Sequence, residues 1–332
     1  MKVHGKRWIV WALVLGGLAL AARAMQHFPW SQVWGALAGA SPGWIAVSTV
    51  LAVLSLLAKG GGWHVLMTGG RAAGLRESER AHMLGAAAMT LTVSVGAEAV
   101  RVGAVVPRLG VPVGRAVAAA AWSRIAETIS LVLLLLPAAL LTMPPDFQHL
   151  RLPAAALSVV AMVVVALLLA PGLRRRLLLP ALLRKFPERW RERVGEVASV
   201  GGGRPMSEAL ALAMLNWLLQ WGSYDAGMLA VGIHVPLAAS LAVIVAVNLG
   251  GIFHLTPGNV GVLQAGTVLV LGAFGVAAAD ALAAGLVLQA VQTLPPILIG
   301  VALVGRPWKV LREFGSGDGD GDASNSGPVG VV

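Results

Sequence analysis

The chain has 332 residues, of which 57% are hydrophobic and only 12% charged, and it contains no cysteine. Soluble domains carry about 25% charged residues, so this chain cannot cover a water-facing surface with polar groups. The lack of cysteine excludes disulfides, thiolate nucleophiles and cysteine-based metal sites. The net charge of +10 comes from basic residues in short loops between apolar runs, which indicates membrane topology rather than nucleic-acid binding.

Six apolar runs are long enough to cross a hydrocarbon core of about 30 Å as helices. Two further apolar stretches, 81–106 and 239–275, are interrupted by glycine, proline and polar residues. Broken helices occur at membrane depth only where protein or a water-filled cavity satisfies the backbone. The predicted fold is therefore all-α and polytopic, with six crossings and two re-entrant broken hairpins, or eight helices if each hairpin counts as one. The six crossings are 8–24, 44–67, 116–142, 152–171, 208–232 and 278–304.

The positions of lysine and arginine predict the orientation. The loop 172–206 carries nine basic residues against three glutamates, which indicates the cytoplasmic side. The segments 25–43, 143–151 and 233–238 are nearly free of charge and are expected outside. We predict a multi-pass protein of the cytoplasmic (inner) membrane with both termini inside. The basic residues counted as cytoplasmic before the first broken stretch are Lys59, Arg71, Arg76 and Arg80.

One transmembrane domain is predicted over residues 1–305, followed by a disordered cytoplasmic tail at 306–332. Its halves, about 8–142 and 152–304, are joined at 143–151 and have the same order of elements: span, span, broken hairpin, span. Three crossings per half would invert the second copy, and inverted repeats with broken helices are a recurring transporter plan. We therefore predict an inverted repeat.

Two long helices support the repeat because matching residues occur at the same distance from the glycine that precedes each helix. Gly110 and Gly275 each precede a long helix, and Arg124 and Gln289 follow at the same offset of fourteen residues. Glu127 lies three residues after Arg124, on the same helix face, so these two side chains can pair.

Charges inside apolar segments are costly and call for partners, and Glu98 and Arg101 in the first broken stretch repeat the spacing of Arg124 and Glu127. One interpretation is structural, with Arg124 and Glu127 fixing helix packing and the other pair reaching the inner surface. The other interpretation is a cavity in which the arginines neutralise a phosphate headgroup.

The stretch 257–264 is the most distinctive in the second half. Pro257 breaks the helix, while Gly258 and Gly261 allow close approach of the backbone. Asn259 and Gln264 supply uncharged hydrogen-bonding groups. A plain turn explains Pro-Gly-Asn alone, but its place between apolar segments indicates the lining of a polar cavity.

No residue pattern predicts a cofactor or a metal. His64, His82 and His254 lack the spacing of metal ligands, and no phosphate loop, dinucleotide fingerprint or nucleophile motif is present. We therefore expect no enzyme activity. Seven of the eleven tryptophans lie near predicted span ends, as interfacial belts require; they are Trp8, Trp11, Trp30, Trp34, Trp44, Trp63 and Trp308.

These motifs together resemble one family. Ala-Glu-Ala-Val-Arg at 97–101 and Gly-Val-Pro at 110–112, followed by Arg124, resemble the G-E-x-x-R … G-V-P … E-R pattern of the lysylphosphatidylglycerol synthase transmembrane-region (flippase-like) proteins. Pro-Gly-Asn-Val-Gly-Val-Leu-Gln-Ala at 257–265 resembles their P-G-x-x-G-x-x-E-A signature. The similarity spans roughly residues 8–305. Three departures are Ala97 for glycine, Gln264 for glutamate and Gln289 for arginine.

The resemblance implies translocation of a lipid between leaflets, either a phospholipid, a glycolipid or a polyprenyl-linked lipid. Full-length namesakes add a soluble aminoacyl-transferase domain, and only a short tail follows residue 305 here, so lysyl transfer is not implied. The expected partners are lipids with anionic or phosphate-bearing headgroups, not nucleic acid. The predicted headgroup path is lined by Glu98, Arg101, Arg124, Glu127, Pro257, Gly258, Asn259, Gly261, Gln264 and Gln289.

An alternative function is a membrane partner that does not transport. In that hypothesis the basic loop 172–206 docks a cytoplasmic lipid-modifying enzyme or a glycosyltransferase, and the hairpins are only structural. Deleting 184–204 and mutating the hairpins would distinguish the two hypotheses.

Overall fold

The computed structural model describes residues 28–91, 94–141, 151–169, 200–251 and 257–304, with His149 and Val197 as isolated positions. The predicted span 8–24, most of the loops 143–151 and 172–206, and the tail 306–332 lie outside the described residues. Ten helices are present in the described part. They are α1 (Trp30–Ala38), α2 (Pro42–Thr68), α3 (Leu75–Leu91), α4 (Ser94–Leu109), α5 (Val113–Leu141), α6 (Arg151–Leu169), α7 (Arg204–Ala230), α8 (Leu237–Gly251), α9 (Val262–Ala273) and α10 (Ala278–Val304).

Length and apolar surface identify a membrane protein. Three described helices, α2, α5 and α10, are long and apolar enough to cross a membrane, and α6, α8 and α9 contain shorter apolar segments. Large apolar side chains remain exposed along α6 and α10; Leu152, for example, is 82% exposed. Monomeric soluble proteins rarely expose such continuous apolar surface. The prediction of an all-α, polytopic membrane protein is confirmed.

Each interrupted stretch folds as two short helices. The first broken hairpin is α3 packed along α4, and the second is α8 packed along α9, with a 3₁₀ turn at Pro257–Asn259 before α9. These helices have 12 to 17 residues, fewer than the roughly 20 that a crossing needs. Their re-entrant placement in the membrane stays a prediction.

One helix boundary and one additional helix differ from the sequence-based expectation. Helix α3 begins at Leu75 rather than at residue 81, because its first turns carry Arg76, Glu77 and Arg80 and give no apolar signal. Helix α1 lies within the segment 25–43, where only an outer connection was expected. It packs through Val33 against the start of α10, so a short apolar contact rather than span length holds it in place.

The most extensive helix contact joins α2 to α7. Ser48 Oγ donates to the carbonyl oxygen of Ser223 at 2.7 Å, and Ser223 Oγ donates to that of Ser48 at 2.9 Å. Seven residues along α2, Ser55 Oγ donates to Asn216 Oδ1 at 2.8 Å, seven residues back along α7. The two helices are therefore antiparallel, with a seven-residue spacing of small and polar side chains. Such side chains let helices in membranes approach closely and hydrogen bond.

The two halves share their order of helices. Helices α2 to α5 and α7 to α10 each run as long helix, two short helices and long helix. Gly110 and Gly275, before α5 and α10, both have a left-handed backbone, with φ of 62° and 81°. Antiparallel packing of α2 with α7 is the arrangement that an inverted repeat requires for this pair. The inversion of the two whole halves stays a prediction.

We predict that Gly227→Leu destabilises the fold. A Cβ atom at Gly227 would lie 2.6 Å from Leu288 Cδ2 and 3.3 Å from Ser48 Oγ, so a larger side chain must displace the fully buried Leu288 between α7, α2 and α10. Overpacking of this kind costs about 1–3 kcal/mol. Thermal unfolding of the purified protein in detergent measures the loss. The control is Gly114→Leu, since a Cβ there meets no atom within 4 Å; equal stability of the two variants would contradict the prediction.

Candidate functional site

A polar cavity of about 360 Å³ is lined by residues from both halves. The first half contributes α2, α3, α4 and α5, and the second contributes α7, α8, the 3₁₀ turn, α9 and α10. Small-molecule sites usually have volumes of roughly 300–1,000 Å³, so the cavity can hold a ligand of modest size. This space between the two halves is called the polar cavity.

Five charged side chains form one network at the first-half wall; four of them line the polar cavity, and the fifth, Glu127, is buried outside its lining. Arg101 Nη2 lies 2.7 Å from Glu98 Oε2, and Arg124 Nη2 lies 3.1 Å from Glu98 Oε1. Arg124 Nη1 is 3.5 Å from Glu127 Oε2, and Lys59 Nζ is 2.8 Å from the same oxygen. The network therefore links α2, α4 and α5. Its three cations outnumber its two carboxylates, which leaves a formal charge of +1.

Both predicted ion pairs are present, and Arg124 joins them by binding Glu98 as well as Glu127. Arg101 is only 4% exposed, so its guanidinium is enclosed by the protein. Its guanidinium carbon lies 4.4 Å from the ring centroid of Trp63, within the distance at which an aromatic face stabilises a cation.

The interfacial role expected for Trp63 is wrong. Its side chain is fully buried, and its indole N–H donates to the carbonyl oxygen of Ala116 at 3.2 Å. Helix α2 packs against α5 and α3 along this part of its length, so proximity to the end of a span did not mean contact with lipid headgroups. Trp34 and Trp44, by contrast, are exposed.

Lys59 was counted toward the cytoplasmic side in predicting the orientation, although it falls inside the predicted span 44–67. It lies within α2, nine residues before the helix ends at Thr68, about 14 Å along the axis. A single lysine inside an otherwise apolar span requires a partner at depth, and that signal was available in the sequence. The partner, Glu127, comes from α5, and the register between the two helices could not be read from the chain alone.

His82 is a second residue that sequence reasoning missed. It is buried on α3, with Nδ1 3.3 Å from Arg101 Nη1. Because a guanidinium can only donate, Nδ1 is the acceptor and the proton of a neutral ring is on Nε2. That Nε2 is buried and has no hydrogen-bond partner in the described structure.

The second-half wall of the polar cavity is uncharged throughout its described residues. Gln289 Nε2 donates to the carbonyl oxygen of Gly258 at 3.0 Å, and Asn248 Nδ2 donates to that of Ile244 at 2.8 Å. The other amides on this wall are Asn216, Gln220, Asn259 and Gln292. Amides donate and accept without carrying charge, so the two walls offer different chemistry.

Arg124 and Gln289, which share an offset from Gly110 and Gly275, also have corresponding contacts. Arg124 binds Glu98 on the first broken hairpin, and Gln289 binds Gly258 on the second. Each long helix thus holds the broken hairpin of its own half through the residue at this position.

The residues predicted from 257–264 divide into two groups. Gly258 and Asn259 line the polar cavity, and Pro257 begins the turn that carries them. Gln264 Oε1 instead accepts from the backbone N–H of Gly261 at 2.7 Å, which caps the first turn of α9. Neither Gln264 nor Gly261 is part of the cavity lining.

The tips of the two broken hairpins meet at the polar cavity. Gly258 has a left-handed φ of 62°, and a Cβ there would lie 3.3 Å from the carbonyl oxygen of Thr90 on α3. A side chain at this position would be strained and would press against the first hairpin, so glycine lets the two tips approach.

An apolar groove of about 890 Å³ runs between α4 and α5. Its walls include Val102, Val106 and Val117, and Val117 is exposed at the protein surface. Glu98 and Arg124 line both this groove and the polar cavity. Their ion pair therefore stands between a polar interior and an apolar surface channel.

The family description lysylphosphatidylglycerol synthase TM region matches residues 9–300. The chain belongs to this family. The match begins near the start of the predicted first span and ends within α10, so it covers both broken hairpins and the whole charged network. The match confirms the resemblance noted from the motifs. It concerns the membrane region of the lysylphosphatidylglycerol synthase proteins. No curated protein matches the chain.

The structure gives the departures from the lysylphosphatidylglycerol synthase pattern a physical meaning. Gln289 stands where many members have arginine, and it binds a carbonyl oxygen rather than a carboxylate. Gln264 stands where many have glutamate, and it serves as a cap. Of these two positions only Gln289 lines the polar cavity, so it is the one that keeps the second-half wall neutral.

We predict that Lys59→Met strongly destabilises the protein. Glu127 is buried, and without Lys59 the cation left beside its carboxylate in the described structure is Arg124, at the longer distance of 3.5 Å. Removing one partner of a buried ion pair costs about 3–5 kcal/mol. Thermal unfolding of purified variants in detergent measures the effect, and adding Glu127→Gln to Lys59→Met should recover much of it.

The matched control is Arg204→Met. Arg204 is 89% exposed and pairs with Glu208 at 2.7 Å, and exposed pairs contribute about 0–1 kcal/mol. A Lys59→Met protein as stable as the control would show that the pair with Glu127 does not hold α2 to α5.

Proposed function

We propose that the protein is a lipid translocase, which moves a phospholipid, glycolipid or polyprenyl-linked lipid between the leaflets of the cytoplasmic membrane. The observation that carries the proposal is that the polar cavity and the apolar groove meet at Glu98 and Arg124. A lipid joins a polar headgroup to apolar chains, so a protein that moves it needs two such environments side by side. Membership of a family named for a lipid supports the same class of substrate.

The charged network offers a place for the headgroup. A charged group is costly at the centre of a bilayer, and a cavity with fixed opposite charges lowers that cost. Arg124 is 43% exposed at the side chain and stands at the groove, whereas Arg101 is buried behind it. A phosphate that arrives along the groove would first replace Glu98 on Arg124, because guanidinium binds carboxylate and phosphate with the same bidentate geometry.

The apolar groove offers a place for the chains. Valine and alanine side chains on α4 and α5 form its walls, and several of them are exposed at the surface. Hydrocarbon in this groove stays in an apolar environment while the headgroup is inside the cavity, so the two parts of the lipid need not be separated from their preferred surroundings.

The proposal includes the predicted orientation, with both termini inside, and one transmembrane domain over 1–305. It also makes the chain a transporter rather than an enzyme. The charged side chains that line the cavity are Lys59, Glu98, Arg101 and Arg124, which are suited to bind and neutralise a headgroup.

We predict that Arg124→Ala and Glu98→Gln slow lipid exchange in liposomes made from the organism's own lipids. Each loses a charge-assisted contact at the junction of cavity and groove, so exchange should fall by about tenfold or more. The control is Arg108→Ala, because Arg108 is exposed on α4 and pairs only loosely with Glu77 at 3.5 Å. Leaflet exchange of labelled lipid, with gel filtration to verify folding, is the measurement.

Full exchange by a folded Arg124→Ala protein would remove Arg124 from the path. If no lipid from the host is exchanged by the unaltered protein, the translocase proposal fails. Function in cells that is lost on deletion of 184–204, and not on mutation of the hairpins, would then favour the docking role of the basic loop.

We also predict that Ala121→Trp blocks the groove. Ala121 lines the groove on α5, and an indole there would occupy the space proposed for lipid chains. Exchange should fall while the folded fraction stays the same. The matched control is Ile125→Trp, one turn further along α5, exposed and outside the groove lining. An equal effect of the two tryptophans would show that the groove is not the chain path.

A further inference from the structure

We infer that the polar cavity selects a lipid whose headgroup is a phosphodiester followed by an uncharged, hydroxyl-rich group such as a sugar or inositol. The inference rests on the proposed function, because it names the substrate class of the same cavity. Two independent observations carry it: the sign of the charge on one wall and the free hydrogen-bonding atoms on the other.

The charge of the first-half wall favours an anionic ligand. Lys59, Arg101 and Arg124 stand against Glu98 and Glu127, so one positive charge is left for the ligand to neutralise. A phosphodiester carries one negative charge. An isolated charge buried without a counter-ion is costly, so a ligand that supplies the missing charge is favoured over one that does not.

A cationic headgroup finds no partner in the described cavity. Glu98 is the one carboxylate among the described lining residues, and it already contacts Arg101 and Arg124. A lysyl or ethanolamine ammonium would add positive charge beside three cations. Like charges at close range destabilise binding, so an aminoacylated lipid fits this member poorly.

The second-half wall presents one free acceptor and one free donor. Gln289 Oε1 and Gln292 Nε2 are buried and have no hydrogen-bond partner in the described structure. The carbonyl oxygen of Gly258 fixes the orientation of the Gln289 amide, since a carbonyl accepts and Nε2 must donate to it. These two glutamines are three residues apart on α10 and therefore face the cavity together.

A hydroxyl group satisfies both atoms, because it can donate to Gln289 Oε1 and accept from Gln292 Nε2. Buried polar atoms are normally paired, so unpaired ones in a cavity indicate a polar ligand or water. A site that holds a hydroxyl in this way discriminates strongly against an analogue that lacks it, since its own groups are then left unpaired. The wall is thus suited to a polyhydroxyl group and not to a hydrocarbon one.

The test compares three lipids with identical acyl chains on the purified protein in phosphatidylcholine nanodiscs. Phosphatidylinositol has the charge and the hydroxyls, phosphatidylmethanol has the charge alone, and lysyl-phosphatidylglycerol is cationic. Native mass spectrometry gives their relative affinities. We expect phosphatidylinositol to bind about tenfold more tightly than phosphatidylmethanol, as one or two neutral hydrogen bonds allow. Lysyl-phosphatidylglycerol should bind most weakly.

Gln292→Met tests the neutral wall directly. Methionine resembles glutamine in shape and cannot donate, so the preference for phosphatidylinositol should fall to within about twofold while the affinity for phosphatidylmethanol is unchanged. The control is Gln32→Met, because Gln32 is an exposed glutamine on α1. If Gln292→Met does not fold, the ranking of the three lipids on the unaltered protein decides alone.

Equal binding of phosphatidylinositol and phosphatidylmethanol would overturn the inference, and so would tightest binding of lysyl-phosphatidylglycerol. The proposed function is tested separately by leaflet exchange. Selective binding without exchange would contradict the translocase and leave the headgroup preference standing. Exchange of all three lipids at equal rates would leave the translocase standing and overturn the preference.

Discussion

Glu127 is a carboxylate buried inside a membrane protein, and most of the arrangement around the cavity follows from the need to compensate it. Lys59 reaches it from α2, and Arg124 reaches it from its own helix, α5. Ser123 Oγ donates to its other oxygen at 3.2 Å, and Trp217 on α7 donates to its backbone carbonyl at 2.7 Å. Three long helices, α2, α5 and α7, therefore meet at this one residue. Because Arg124 also contacts Glu98, the same charge positions the first broken hairpin.

The second half holds its broken hairpin in place through a neutral hydrogen bond instead of an ion pair. Gln289 binds the carbonyl oxygen of Gly258 on the second broken hairpin. Arg124, at the corresponding position, binds the carboxylate of Glu98 on the first. A neutral hydrogen bond is weaker than a charge-assisted one, and it carries no cost of burying an ion. The two halves thus keep the same plan of contacts while the cavity between them has one cationic wall and one amide wall. This asymmetry underlies the headgroup preference that we infer.

Much of the fold could be predicted from the sequence, because apolar span length and residue spacing within one helix are local properties. The pairs Glu98–Arg101 and Arg124–Glu127 follow from a spacing of three. What could not be predicted depends on register between helices. The partner of Lys59 lies on another helix, and the burial of Trp63 depends on how α5 packs against α2. The capping role of Gln264 depends on where α9 begins, which composition does not determine.

The two serines between α2 and α7 make a contact that is the same when read from either side. Each hydroxyl of Ser48 and Ser223 donates to the other's carbonyl oxygen, as two identical chains would do about a two-fold axis. This contact depends on Ser48 and Ser223 alone, so it does not require the rest of the two halves to be alike. The two walls of the polar cavity therefore differ in charge, one with ions and the other with amides, while the contact between α2 and α7 has the same hydrogen bond on both sides.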